Sequence, residues 1–136
     1  MKIKALKIVI IDDNLHLRTS LEKLLTILGH TVFMASTAEA GMDLVKAHCP
    51  GLLICDISLQ GAINGYGVAR MRRLDTTVSI AGTYFVALSG NHQQQDREKS
   101  LQAGFDRHVA KPASLADIKD IIDHTLRHRL RRGLLA

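Results

Sequence analysis

An α/β fold, in which helices cover both faces of a parallel β-sheet, is the architecture that this sequence predicts. Short apolar runs rich in β-branched residues alternate with amphipathic segments five times along the 136 residues. Each return of the chain to a new parallel strand requires a crossover, which a helix usually supplies. The length and the balance of 46% hydrophobic and 23% charged residues fit one domain spanning residues 1–136, with its core at about 6–130.

The first half of the chain carries three predicted strands, each a short apolar run. They cover Leu6–Ile11, Thr31–Ala35 and Leu52–Cys55. Asn14 is the predicted N-cap of the first helix, in which leucines recur at helical spacing until Gly29 ends it. Ser36–Glu39 has the spacing of a capping box, and the second helix, which it opens, must end near Pro50.

The second half continues the same alternation after a long loop that contains three glycines. The predicted elements are a helix over Val68–Arg73, a strand over Thr83–Leu88, a helix over Gln93–Ala103 and a strand over Phe105–Ala110. Gly104 is a natural terminator of the polar helix that precedes it. Ser114–Asp117 resembles a capping motif and opens the last helix, whose apolar residues recur on one face.

Excess positive charge is confined to one end of that last helix. Of the 18 lysines and arginines, four lie within Arg127–Arg132, and the remaining 14 nearly balance the 13 acidic residues. This basic helix end, residues 127–132, argues against a nucleic-acid footprint spread over the whole fold. We therefore expect no sequence-specific DNA binding.

Neither the cysteines nor the apolar runs indicate an exported or membrane-bound protein. Cys49 and Cys55 fit neither a disulfide framework nor a zinc site with paired thiolates. The basic start, Met1–Lys4, leads into an apolar run that is too short for a signal peptide and ends on two aspartates. Because no stretch approaches the length of a membrane span, we expect a cytoplasmic protein without membrane contact.

Polar side chains follow four of the five predicted strands. Asp12 and Asp13 follow the first strand, Asp56 the third, Ser89 the fourth and Lys111 the fifth. The carboxyl ends of parallel strands meet at one edge of the sheet, where such folds bind ligands. Clustered carboxylates repel one another unless a cation joins them, and an all-oxygen set favours Mg²⁺. An ammonium and a hydroxyl nearby suit phosphoryl oxygens, so this edge predicts a site for a phosphoryl group bound through a metal.

These residues make the chain similar to the receiver domain of two-component response regulators, from about Leu6 to Leu130. The motifs that carry the resemblance are Ile11–Asn14, Cys55–Asp56, Ala87–Gly90 and Ala110–Pro112, with support from Asn64–Tyr66 and Ala103–Asp106. Any one of these short motifs is weak, but four of them occur in order at strand ends. The resemblance implies a flavodoxin-like, open five-stranded sheet of order 2-1-3-4-5.

The resemblance also implies a role for each residue at the strand ends. Asp56 would be the phospho-acceptor, taking a phosphoryl group from a phosphohistidine. Asp12, Asp13 and Asp56 would hold Mg²⁺ together with the backbone carbonyl of Ser58, and Mn²⁺ is a second candidate metal. Ser89 and Lys111 would contact the phosphoryl oxygens. The resemblance further implies a conformational switch, in which a movement of the Ser89 hydroxyl is coupled to a movement of the His108 ring.

Three departures from the family pattern concern the loop after Asp56 and the switch. Gln60 stands where the family usually has proline, and one extra residue separates Asp56 from Gly65. His108 stands where the family often has tyrosine or phenylalanine. The pattern predicts an exposed or half-buried imidazole there, smaller than a phenol and able to take a charge near neutral pH.

The expected function is a phospho-accepting signalling switch that changes its partner-binding surface. A sensor histidine kinase or histidine phosphotransfer protein would be the donor, the output partner is unknown, and a weak homodimer is left open. The domain would be no enzyme beyond self-phosphotransfer and autodephosphorylation, and would either stand alone or derive from a hybrid histidine kinase. The alternatives are a phosphorylation-independent interaction module and a Mg²⁺-dependent phosphohydrolase, although no second aspartate follows Asp56 by two residues.

Overall fold

The computed structural model describes residues 5–75, 78–90 and 94–133. Its five parallel strands form one sheet in the order β2-β1-β3-β4-β5. The strands are β1 Lys7–Ile11, β2 Thr31–Ala35, β3 Leu52–Asp56, β4 Tyr84–Ser89 and β5 Arg107–Ala110. Both the predicted fold class and the predicted strand order are confirmed.

Helices connect the strands and cover both faces of the sheet. They are α1 Leu15–Ile27, α2 Ala38–His48, α3 Gly65–Leu74, α4 Val78–Ala81, α5 Gln94–Ala103 and α6 Leu115–Arg131. The predicted cap of α1 is confirmed, because the Asn14 side chain accepts a hydrogen bond from the Leu17 amide. The capping box of α6 is also present, with reciprocal bonds between Ser114 and Asp117.

Alternation along the strands divides the core into two clusters, one on each face. Val9 and Phe85 belong to the cluster packed against α2, α3 and α5, whereas Ile10 and Val86 belong to the cluster packed against α1 and α6. Strands buried on both faces explain the nearly continuous apolar runs in the sequence. None of the helices in the described part of the chain combines the length and the apolar character needed to cross a bilayer.

Several predicted boundaries are wrong by a few residues. The cap of α2 is Thr37 and not Ser36, because the Thr37 hydroxyl is the group that accepts from the Ala40 amide. The helix predicted from Val68 begins already at Gly65, where Asn64 supplies a cap within the predicted loop. The four-residue helix α4 was not predicted, since it is too short for a periodic signal.

The third to fifth strands also differ slightly from the prediction. β3 extends one residue further, to Asp56, β4 runs one residue later than predicted, and β5 begins at Arg107 rather than Phe105. Phe105 is instead a core residue that precedes the strand. Gln93, the predicted first residue of the polar helix, lies outside the described residues.

Candidate metal and phosphoryl site

Three carboxylates meet at the carboxyl edge of the two central strands. Asp12 and Asp13 follow β1, Asp56 ends β3, and these neighbouring strands pair in register from Ile8 to Ile11. One oxygen from each of the three carboxylates lies within 4.8 Å of the others. Asp12 and Asp56 are buried, at 4% and 5% exposure, and Asp13 is the most exposed of the three.

Lys111 reaches this cluster from the far side of β4. Its Nζ lies 3.1 Å from Asp56 Oδ1 and 3.3 Å from Asp12 Oδ2. Burial alone would lower the pKa of Lys111, but the hydrogen bond and the charge of Asp56, with those of Asp12, raise that pKa above its usual value. The ammonium is therefore held in its charged form between the two carboxylates.

Burial has the opposite effect on the acidic partner. The pKa of Asp12 is raised by burial, although the Asn14 amide, which donates to Asp12 Oδ1 at 2.9 Å, and the nearby Lys111 both oppose this. Three carboxylates facing one ammonium leave an excess of negative charge in a pocket of oxygen ligands. That donor set fits Mg²⁺, a hard cation that binds one or two carboxylates and keeps several waters.

The loop after β3 folds over the cluster and donates backbone N–H groups to it. The Ser58 amide donates to Asp56 Oδ1 at 3.0 Å, and the Gln60 amide donates to Asp13 Oδ2 at 2.9 Å. The loop ends at Gly65, the first residue of α3, which lies against the backbone of β3. A Cβ at residue 65 would lie 2.6 Å from the Asp56 carbonyl oxygen, so only glycine allows this close approach.

Ser89 occupies the matching position at the end of β4. It is buried, pairs in register with Ala110, and its carbonyl accepts from the Lys111 amide at 2.8 Å. Ser89 therefore lies between the strand that carries Asp56 and the strand that leads to Lys111. The fold thus places at one edge every strand-end residue that the sequence singled out.

His108 differs from the prediction. It is 6% exposed, so the expected exposed or half-buried position is wrong. Its Nδ1 lies 2.8 Å from the hydroxyl oxygen of Ser100 in α5, and that hydroxyl donates its hydrogen to the Arg97 carbonyl at 2.9 Å. His108 pairs with Ala87, and Ser89 lies two residues further on β4, so His108 and Ser89 share one face of the sheet.

Sequence patterns did not reveal the partners that come from loops and helices. Ser100 lies in a polar helix, where no pattern of apolar residues marks it as buried. The Gln60 contact uses a backbone N–H, which every residue except proline carries.

The Cys55 thiol, next to Asp56, is buried, and burial raises its pKa well above the usual value. Cys55 is therefore a core residue, as the sequence indicated.

The fold and the site together are those of an α/β domain with an acidic, lysine-containing pocket at the carboxyl edge of an open parallel sheet. A family model described as "Response regulator receiver domain" matches residues 8–123. The chain therefore belongs to the response regulator receiver domain family. Domains of this family are the switches of two-component systems and work with histidine kinases.

Curated relatives are transcriptional regulators of about twice this length. The chain is 31% identical over 121 residues to the probable transcriptional regulator ycf27 of Porphyra purpurea, covering 89% of this chain and 47% of the relative. It is 32% identical over 126 residues to the transcriptional regulatory protein AfsQ1 of Streptomyces coelicolor, covering 93% and 52%. The chain thus spans about half the length of these relatives.

A solved structure resembles the whole fold. The receiver domain of the sensor histidine kinase PA1611 from Pseudomonas aeruginosa aligns with a TM-score of 0.80 and 25% identity, covering 91% of this chain and 99% of that one. That crystal structure has a magnesium ion coordinated in its active-site cleft.

Proposed function

We propose that this receiver domain is a phospho-accepting switch in which Asp56 takes a phosphoryl group from a phosphohistidine. The observation that carries the proposal is the cluster of three carboxylates within 4.8 Å, with the Lys111 ammonium 3.1 Å from Asp56. Among the described residues, the three acids have one ammonium, that of Lys111, as their ion-pair partner, so negative charge is left over. A divalent metal would balance that charge and allow a phosphoryl group to approach Asp56.

Asp12, Asp13 and Asp56 would hold the metal, together with the backbone carbonyl of Ser58. When bound, Mg²⁺ supplies positive charge between the carboxylates and the phosphoryl oxygens. Mn²⁺ prefers the same oxygen ligands and is proposed as a substitute. The amide of Ser58 already fixes one oxygen of Asp56, and the amide of Gln60 fixes one oxygen of Asp13.

Asp56 would act as the nucleophile. One carboxylate oxygen attacks the phosphorus, the P–N bond to the donor imidazole breaks, and its electron pair returns to that imidazole. The product is an acyl phosphate on Asp56. Attack by water on the same phosphorus would later restore the carboxylate and release inorganic phosphate, which is the proposed autodephosphorylation.

Lys111 and Ser89 would stabilise the acyl phosphate. The ammonium of Lys111, freed from Asp56 Oδ1, can follow the new charge onto a phosphoryl oxygen, since its side chain is long and flexible. Ser89, at the end of the adjacent strand, would donate its hydroxyl to a second oxygen. Charge placement of this kind accounts for most catalysis of phosphoryl transfer.

The switch would run from Ser89 to α5 through His108. A Ser89 side chain that turns toward the phosphoryl group vacates space on the sheet face that it shares with His108. Because His108 is bonded to Ser100 at 2.8 Å, a new rotamer of the imidazole would also release or shift α5. The partner-binding surface that changes would thus include α5, β5 and α6.

The donor would be a sensor histidine kinase or a histidine phosphotransfer protein. For the output, the names of the curated relatives point to control of transcription, and they weigh against the expectation that DNA binding is absent. That expectation rested on the charge of residues 1–136, which correspond to about half of each relative.

Phosphoryl uptake from a small phosphodonor tests the proposal. We expect intact mass to show one acid-labile phosphate in the presence of Mg²⁺ or Mn²⁺ and none after chelation, and peptide mapping to place it on Asp56. Uptake on another residue, or equal uptake without a divalent cation, would show the assignment to be wrong.

Amide chemical shifts test the switch separately. With Mg²⁺ and an inert phosphoryl mimic, we expect changes at Asp56, His108 and along α5. In Ser100→Ala the mimic should still bind, but the changes along α5 should shrink. Shifts confined to the surroundings of Asp56 in the unmodified protein would contradict the switch while leaving the acceptor site intact.

A further inference from the structure

The backbone N–H of Gln60 is the partner of Asp13 in this structure. It donates to Asp13 Oδ2 at 2.9 Å, across 47 residues of sequence. Asp13 is more exposed than Asp12 and Asp56 and, unlike them, forms no ion pair with Lys111 in the described part of the chain. Among the residues that the structure describes, this loop amide is therefore the hydrogen-bond partner that orients the carboxylate.

The position of that amide is set by the core and not by the side chain of Gln60. Residue 60 is exposed, whereas Ile57 and Leu59 are buried at 7% and 6% exposure in the cluster that α2 and α3 cover. The Gly65 amide, which donates to the Ile57 carbonyl at 3.1 Å, closes the loop on the other side. The loop thus presents the amide of residue 60 from a fixed position.

We propose that the Gln60 amide is a positioning group for the metal site, an inference that rests on the proposed metal role of Asp13. The N–H donates to Oδ2 and would hold the carboxylate in one rotamer, ready for a cation beside Asp12 and Asp56. Ligand orientation imposed by a hydrogen bond behind the ligand strengthens metal binding, because less freedom is lost when the ion arrives.

Two substitutions at residue 60 separate the amide from the side chain. Gln60→Pro removes the N–H, because proline carries no amide hydrogen. Gln60→Ala removes the side chain and keeps the N–H. Titration of each folded protein with Mg²⁺ alone, followed by amide chemical shifts or calorimetry, gives the dissociation constant without any phosphodonor.

We expect Gln60→Pro to bind Mg²⁺ about 3- to 10-fold more weakly, the change in affinity that corresponds to ordering one side chain on binding. Gln60→Ala should match the unmodified protein to within about twofold. Equal affinity in all three proteins, or tighter binding by Gln60→Pro, would overturn the inference. Absence of Mg²⁺ binding by the unmodified protein would instead refute the proposed metal site.

Proline also restricts the residue before it, so Gln60→Pro could disturb Leu59. A backbone ester at residue 60, made with the α-hydroxy analogue of glutamine, removes the N–H without that restriction. The same weakening is expected in the ester protein, and unchanged affinity there would decide against the inference. In the unmodified protein the residue 60 amide should also exchange its hydrogen slowly, and exchange as fast as in an exposed loop would contradict the bond itself.

Discussion

Polar side chains are buried both at the amino edge of the sheet, where the strands begin, and at the carboxyl edge, where the strands end. The two edges differ in the partners that these side chains contact. At the amino edge, the residues that directly precede the strands bond to backbone groups. His30, before β2, accepts from the Leu6 amide through Nδ1 at 3.0 Å, and Thr83, before β4, donates to the Pro50 carbonyl at 2.7 Å. Such hydrogen bonds between a side chain and the backbone fix the geometry of the fold.

Arg72 completes the amino edge from α3. Its guanidinium donates to the Gly104 carbonyl at 2.9 Å and the Thr83 carbonyl at 3.0 Å, and pairs with Asp106 at 2.9 Å. It also lies over the Phe85 ring, 4.3 Å from the centroid. One arginine thus joins α3 to the turns that precede β4 and β5.

At the carboxyl edge, three acidic side chains each accept one backbone N–H, and their charge is only partly balanced. Asp12 and Asp56 share Lys111, and an excess of negative charge remains. A group that is already matched gains nothing from a ligand, whereas an acidic cluster with unbalanced charge is stabilised by a cation. The contacts at the amino edge therefore maintain the fold, whereas those at the carboxyl edge leave room for a bound ion.

The largest expected effect is loss of phosphoryl uptake in Asp56→Asn. The amide is similar in shape and can still accept from Ser58, but it is a poor nucleophile, so uptake should be abolished. Stability should stay equal or rise, because a carboxylate facing Asp12 is removed. Intact mass and thermal unfolding measure the two effects, with Asp123→Asn on the exposed face of α6 as the control. A large loss of stability would show that Asp56, like the residues of the amino edge, maintains the fold.

Arg72→Ala should have the converse effect. Loss of its hydrogen bonds leaves carbonyls and Asp106 without their cation, and we expect the free energy of unfolding to fall by about 2–3 kcal/mol. Phosphoryl uptake by the folded fraction should persist. Denaturant unfolding checks the first point and intact mass the second. Arg70→Ala, an exposed arginine of the same helix, should cost less than about 0.5 kcal/mol.

Lys111→Ala tests the charge balance within the carboxyl edge. Without the ammonium, Asp12 and Asp56 repel each other unshielded, and the metal-free protein should lose about 1–2 kcal/mol. Added Mg²⁺ should then raise the melting temperature of this variant more than that of the unmodified protein. Lys119→Ala, exposed on α6, is the matched control. An equal response to Mg²⁺ in all three would place Lys111 outside the metal site.

The smallest expected effect concerns pH and the amino edge. Burial lowers the pKa of His30 below its ordinary value of 6.5, so the unfolded chain binds more protons once the pH falls under that value. His30 therefore leaves stability unchanged above about pH 6.5 and reduces it as the pH decreases toward the lowered pKa of the folded state.

Replacement of His30 by asparagine tests this acid sensitivity. The asparagine oxygen can still accept from Leu6, so part of the stability loss between pH 6.5 and 5 should disappear in His30→Asn. The rest of this loss should persist, because burial also lowers the pKa of His128. His16→Asn, the same exchange at an exposed residue of α1, is the matched control. Identical profiles in His30→Asn and the unmodified protein would refute the role of His30.

The apolar runs and the polar residues that follow them were enough to predict the fold class and the candidate site residues. Five apolar runs separated by helical patterns admit few arrangements besides a parallel sheet, and parallel strands end at one edge. Asp12, Asp56 and Lys111 could therefore be assigned to one site before any distance was known. Residue type and position relative to strand ends are local properties, which a sequence displays directly.

How those residues are held depends on contacts that exist only in the folded protein. The bond from Gln60 to Asp13, the bond between Ser100 and His108 and the contacts of Arg72 join segments that carry no matching signal in the sequence. Backbone amides and carbonyls are chemically alike at every residue, apart from the missing N–H of proline, so the sequence does not mark the one that forms a bond. Its partner is set by how loops and helices pack over the sheet.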